Sequence, residues 1–179
     1  MKIAWGITGA GDHMTECVTF MRLLSKKYNL DVHVYPSKEG VVVLKYYNLL
    51  KEVKDNFSKL SPEKGPNAPF IAGKIALGTY EFFLIAPATA NTVAKMAYGI
   101  ADSLITNSAA QAMKANVPVY IFPVDQKEGE IMTTLPDGRA LKLRIRKEDA
   151  DNVETLRGMR GINVLSRVHE VKDVVEQHS

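Results

Sequence analysis

The chain has 179 residues, 46% hydrophobic and 24% charged, with a formal net charge of +3. That balance fits a single globular domain over residues 1–179, large enough to bury a core without disulfides. The lone Cys17 can close no internal bridge and points to a reducing, cytoplasmic setting; no apolar run approaches the roughly 20 residues of a membrane span.

Residues 2–8, KIAWGIT, read as a buried first strand that empties into the turn GAGD. Because this apolar stretch runs straight into a glycine turn, it is a strand rather than a signal peptide. Residues 14–28 place Val18, Met21 and Leu24 at helical spacing, with Phe20 and Leu23 beside them. LDVHVYP, 30–36, is a second strand. Residues 41–57 are longer than a typical strand and are predicted as one helix. A polar Pro/Gly loop follows over 58–69, and 70–78 fits either a short strand or a helical turn. YEFFLIAP, 80–87, is the third clear strand.

Residues 89–101 form a helix whose N-cap is Thr89 or Asn91. Another helix covers 103–116, and VPVYIFP, 117–123, is a fourth strand. Asp137-Gly138 between strand-like segments signals a hairpin. In its second arm Lys142, Arg144 and Arg146 alternate with Leu141, Leu143 and Ile145, the pattern of a half-buried strand with a basic outer face. That face is a solvated strand surface or a docking face for an acidic partner. No aromatic residues interleave with the basic ones, so nucleic acid is not expected as a partner. The tail reads as helix, short strand INVL and a last helix. Strands alternating with helices imply an α/β fold: a three-layer parallel sheet with a C-terminal hairpin or flap.

Such sheets bind ligands beyond the carboxyl ends of their strands. Three loops fall there: Thr8–Asp12, Pro36–Gly40 and Pro87–Thr92. Gly9, Ala10 and Gly11 let backbone amides approach a phosphate. The dinucleotide pattern G-x-G-x-x-G fails at its third place, which is Met14, and Asp31 begins the second strand instead of closing it. Ser37 is a helix cap that can also serve a phosphate oxygen. The third loop carries more polar groups than a cap needs: Thr89, Asn91 and Thr92, with Ala88 and Ala90 leaving room for a flat ligand. Asn91 can offer donor and acceptor together to a heteroaromatic edge.

Pro87-Ala88-Thr89-Ala90-Asn91-Thr92 after a strand, the first-strand G-x-T-G turn and the serine after strand two resemble the superfamily of homo-oligomeric flavin-containing cysteine decarboxylases. The likeness covers roughly the first two-thirds of the chain. It implies FMN, a Rossmann-like (flavodoxin-like) fold and a homo-trimer, often assembled further into a dodecamer or larger cage. By matching motif positions, Thr8, Gly9, Ala10, Gly11 and Ser37 would hold the phosphate end; Pro87, Ala88, Thr89, Asn91 and Thr92 would line the flavin, with help from a neighbouring subunit.

The departures bear on activity. Decarboxylating members carry a catalytic histidine before strand three, but FIAGKIALGTYE has none. Their P-x-M-N-x-x-M-W clamp is replaced by Pro123-Val124-Asp125-Gln126, and the flap cysteine is missing. No counterpart of the prenyltransferase branch's arginine-glutamate motif is found. ITGAGDHMTE, FPVDQKEG and LPDGR are similar to the redox branch, the archaeoflavoproteins and the dihydromethanopterin reductase (acceptor) group. That resemblance implies an FMN-dependent oxidoreductase passing a hydride to a pterin, with Asp125 and Gln126 as substrate contacts. An electron carrier served by ferredoxin is the alternative, ahead of a phosphopantothenoylcysteine-type decarboxylase. His13, His33, His169 and His178 show no metal-ligand spacing. His13 and His33 read as surface and packing residues, Trp5 as core, and Met96 and Tyr98 as core or interface.

Overall fold

A computed structural model describes residues 1–179. Six strands form one sheet: β1 Lys2–Ile7, β2 Asp31–Pro36, β3 Lys59–Leu60, β4 Phe83–Ala88, β5 Val119–Pro123 and β8 Ile162–Val164. Their spatial order is β3-β2-β1-β4-β5-β8, and every pairing is parallel. A separate antiparallel pair, β6 Gly129–Thr134 and β7 Ala140–Ile145, makes the hairpin.

Period-two alternation in β1 builds two cores at once. Ile3, Trp5 and Ile7 enter one apolar cluster with Met14, Cys17, Val18 and Met21. These last four lie on one face of helix α1, Met14–Lys27. Ala4 faces the other cluster, with Ile105, Ala109 and Ala112 of α6, Leu104–Lys114. Trp5 is fully buried, and its indole N–H donates to the Ala86 carbonyl at 2.7 Å. Truncating such a side chain to alanine costs about 3–5 kcal/mol.

Three expectations are corrected, and the open reading of 70–78 is resolved as a helix. The helix predicted over 41–57 is two helices, α2 Lys38–Tyr46 and α3 Leu50–Asn56. The chain breaks at Asn48, which takes a left-handed φ of 58°; asparagine tolerates that conformation better than most residues. Residues 70–78 hold helix α4, Ile71–Ala76. The 58–69 loop contains the short edge strand β3. Finally, β7 is not half-buried: only Ile145 of its six residues is covered, because β7 pairs with β6 alone.

Helix α5 spans Ala90–Ala97 and α7 spans Lys147–Arg157. A short 3-10 turn, Val168–Glu170, leads into α8, Val171–Gln177, which packs Val171, Val174 and Val175 on the α1 side of the sheet. No helix is long and apolar enough to cross a membrane.

Candidate functional site

The order of the sheet puts β1 between β2 and β4, so three carboxyl ends meet. Backbone bonds tie them: the Ser37 amide donates to the Ile7 carbonyl at 2.8 Å, and the Thr8 amide to the Pro87 carbonyl at 3.3 Å. The Thr8 side chain, 2% exposed, adds two more. Its hydroxyl donates to the Pro87 carbonyl at 2.8 Å and accepts from the Thr89 amide at 2.9 Å. A buried hydroxyl so used is a brace between strands.

Three helices begin beside these ends. Ser37 caps α2, its Oγ accepting from the Gly40 amide at 2.9 Å. Thr89 caps α5, accepting from the Thr92 amide at 3.2 Å, with the two threonine hydroxyls 3.0 Å apart. Ser103 caps α6 through a reciprocal box with Thr106. These capping residues and Thr92 share the lining of one cavity of about 430 Å³, together with Thr8, Gly9 and Asn91. Helix N-termini carry partial positive charge and unsatisfied amides, so the cavity favours an anion.

Two glycines are needed for close approach. A Cβ on Gly40 would lie 2.5 Å from the Ile7 carbonyl oxygen, so only glycine lets α2 start against the end of β1. A Cβ on Gly9 would lie 2.7 Å from Glu39 Cβ. No group in the chain accepts from the amides of Gly9 or Ala10, although Ala10 is 5% exposed. Buried amides are seldom left without a partner. The Asn91 amide also makes no bond within the chain and is exposed. This set of free amides, cap hydroxyls and a bifunctional carboxamide fits a phosphate ester carrying a heteroaromatic ring.

The remaining sequence-predicted residues lie behind or beside that cavity. Pro87 and Ala88 are buried in the last turn of β4 and fix where α5 starts. Ala10 is buried beside Gly9 and lines neither cavity, and Gly11 lies under the Tyr47 ring on a neighbouring cavity with Asp12 and Thr133. Met14, at the failed glycine place, is fully buried. Asp31 is taken by Lys2 and His33, each at 3.2 Å.

Asp125 and Gln126 lie past β5, outside the cap-lined cavity. The Gln126 amide nitrogen is spent on the carbonyls of Pro123, Leu165 and Ser166 at 2.9, 3.0 and 3.3 Å. Its oxygen accepts from Arg157 at 3.1 Å. Asp125 makes no such bonds. Burial, then the charges of Asp149 and Asp12, push its carboxyl above the usual range, against a smaller opposing pull from Arg146.

Sequence reasoning missed Glu63. Its carboxylate accepts from the Leu104 amide at 2.8 Å and the Lys38 amide at 3.2 Å, so it bridges the starts of α6 and α2 within the cavity. A glutamate in a Pro/Gly loop carries no periodic signal that would mark it. Ser103 could have been read from its place before the α6 run. His13 lies at the start of α1 with its ring against Phe122, centroids 5.3 Å apart. His33 is held between Tyr80 and Asp31, and burial leads the lowering of its pKa. Cys17 is fully buried, and burial pushes its thiol well up.

The family model for flavoproteins matches residues 1–176. The chain belongs to the flavoprotein family. This flavoprotein is 54% identical over 178 residues to an uncharacterized protein of Methanocaldococcus jannaschii, covering 99% of this chain and 96% of that one. It is 42% identical over 143 residues to the dihydromethanopterin reductase (acceptor) of Methanosarcina mazei, covering 75% of this chain and 59% of that protein. The Methanocaldococcus jannaschii reductase of the same name is 31% identical, with 96% and 94% covered. Among solved structures, Burkholderia xenovorans DmrB in complex with FMN, described as a cubic protein cage for redox transfer, superposes with a TM-score of 0.83 at 29% identity. That match covers 98% of this chain and 93% of DmrB.

Proposed function

We propose that this flavoprotein is an FMN-dependent reductase whose acceptor is a pterin. The observation that carries the cofactor half is the cavity where the Ser37, Thr89 and Ser103 caps converge with the free amide of Gly9, the residue before Ala10, whose amide is also free. A terminal phosphate fits there, and Asn91 is placed beside it for a ring edge. FMN, when bound, supplies the hydride chemistry; the protein supplies position, electrostatics and exclusion of competing reactions. Thr8 keeps the β1 and β4 ends in fixed relation, and Ser37 and Thr89 present hydroxyls without surrendering their caps.

Reduction of a pterin imine adds hydride to carbon and needs a proton at nitrogen. Asp125, whose carboxyl burial and the charges of Asp149 and Asp12 push above the usual range, suits a contact to that nitrogen. Gln126 then acts by fixing the loop, since its amide is committed to three carbonyls. The reductase names of the relatives support the pterin.

The carrier reading needs a charged docking face. In β7 and after it, Lys142 pairs with Glu130 at 2.7 Å, Arg144 with Glu128 at 3.2 Å and Arg146 with Asp149 at 2.6 Å. The face is neutralised from within, which weighs against acidic ferredoxin and nucleic acid alike. Decarboxylation is disfavoured because the segment before β4 has no histidine and the one thiol is inert.

We also propose a homo-oligomer built on a trimer, assembled further as a cage. Tyr98 is 77% and Leu77 85% exposed, with Phe70 and Ile100 also open to solvent; large apolar side chains left out favour burial against a neighbour. Mixing the anaerobically reduced protein with dihydropterin or with oxidised ferredoxin in a stopped-flow cell tests the acceptor. Rapid flavin oxidation by dihydropterin alone supports the reading; oxidation by ferredoxin alone replaces it with the carrier.

A further inference from the structure

A second cavity, of about 540 Å³, lies where the β6–β7 hairpin meets the ends of β5 and β8 and the start of α1. It shares no lining residue with the cavity between the helix caps. Phe122, Val124, Ile131, Ile145 and Val168 give it apolar walls, and Lys127, Arg157 and Arg167 give it three cations. Its one carboxylate, Glu16, is already occupied: Oε2 is 2.6 Å from His13 Nδ1, and Oε1 is 3.6 Å from His169 Nδ1.

The cations are incompletely matched. Lys127 has no carboxylate within ion-pair reach. Arg167 has Glu170 only at 3.6 Å. Arg157 uses Nε on Glu154 at 3.1 Å and one terminal nitrogen on Gln126 at 3.1 Å. Glu154 and Glu170 lie outside the lining. A guanidinium has five N–H donors, so both arginines retain several. Unspent donors beside apolar walls favour a ligand with an apolar body and a charged end.

We propose that this cavity binds an organic anion: a flat apolar body lies along Phe122, Val124 and Val168, and its carboxylate or phosphate meets Lys127 and Arg167. As the site for an acidic tail of the molecule that is reduced, the assignment rests on the reductase reading above; the binding of an anion does not. Phe122, Pro123 and Val124 line this cavity and lead the chain from β5 directly into Asp125, the proposed proton contact.

Calorimetric titration of the full-length, FMN-loaded protein tests this. The probes are 4-aminobenzoylglutamate, phenyl phosphate and the uncharged 4-aminobenzamide. At least one anion is expected to bind, and the stronger of the two identifies the charged group; the amide should bind at least tenfold more weakly. The double variant Lys127→Gln/Arg167→Gln should lose roughly tenfold or more in anion affinity, because each removes a charge-assisted bond. Its flavin absorbance and melting temperature should match the parent. Equal binding of amide and anions, no binding of either anion, or full anion affinity in the double variant overturns the proposal. Failure of the reductase reading is distinguishable: anions would bind while dihydropterin left the reduced flavin unoxidised.

Discussion

Thr8 and Thr89 are 81 residues apart in sequence, yet the Thr89 amide donates to the Thr8 hydroxyl at 2.9 Å. That hydroxyl in turn donates to the Pro87 carbonyl at 2.8 Å. A side chain just past the first strand therefore sets the N-cap of the helix that follows the fourth. The glycine loop and the Pro87–Thr92 segment are held as one unit.

Thr8→Val keeps the shape and deletes the bond. It leaves the Thr89 amide without its partner, for which buried groups cost about 1–3 kcal/mol. Urea unfolding is expected to show a loss of that size, and FMN titration a weaker affinity, since the cap of α5 loses its anchor. Unchanged affinity alongside lowered stability would confine Thr8 to the fold.

Ser37 separates capping from phosphate binding. Its Oγ accepts from the Gly40 amide at 2.9 Å, and an aspartate accepts equally well there. Ser37→Asp should therefore preserve the melting temperature of the apo-protein while sharply lowering affinity for FMN, because a carboxylate repels the phosphate. Riboflavin, which lacks the phosphate, should be affected far less. Ser37→Ala should lose about 1 kcal/mol of stability from the missing cap. Equal loss of riboflavin and FMN in Ser37→Asp would place the phosphate elsewhere.

The loops at the strand ends were legible because their residues are locally constrained. Glycine at 9 and 40 answers a close approach, and serine or threonine at 37 and 89 answers a helix start. Parallel order followed from the alternation of strands and helices. The break at Asn48 was hidden because both halves continue the same apolar pattern, and only a left-handed residue divides them. The exposure of β7 was hidden for a different reason: alternation reports a face suited to burial, while burial itself needs a second layer, which this chain does not place there. Glu63 was invisible because its role depends on two helix starts, one 25 residues before it and one 41 residues after it in the chain. Gln126 and Asp125 read alike in sequence; the fold commits one amide to three carbonyls and leaves the other carboxyl half-buried.

Glu63 is a carboxylate at the very helix ends that favour an added anion. Its two oxygens hold the Lys38 and Leu104 amides at 3.2 and 2.8 Å. Glu63→Gln retains one acceptor and removes the charge. FMN should bind more tightly to the variant, because like charges within the cavity no longer repel. The apo-protein should be destabilised by about 1 kcal/mol, the scale of a charge-assisted cap contact. Weaker FMN binding in Glu63→Gln, with riboflavin unaffected, would show the carboxylate assisting the phosphate instead of opposing it.

Asp125 links stability to activity through pH. Burial and the neighbouring Asp149 and Asp12 raise its folded pKa above the ordinary 3.8. The folded state therefore binds this proton more tightly than the unfolded chain does. The stabilisation from that proton is fully present below pH 3.8 and is lost as pH rises through the folded value, so at neutral pH the ionised carboxylate opposes folding. Asp125→Asn removes the charge at nearly constant shape. Its melting temperature should exceed the parent's at pH 7, and the difference should close as pH falls below the ordinary carboxylate range. Groups kept at a cost to stability are those that function requires, so the same variant should reduce dihydropterin more slowly while its flavin spectrum stays unchanged. A melting temperature that rises with no change in rate would leave Asp125 a strained bystander and remove it from the acceptor site. A lower melting temperature at pH 7 would mean that Arg146, which pulls the carboxyl the other way, outweighs burial and the two aspartates.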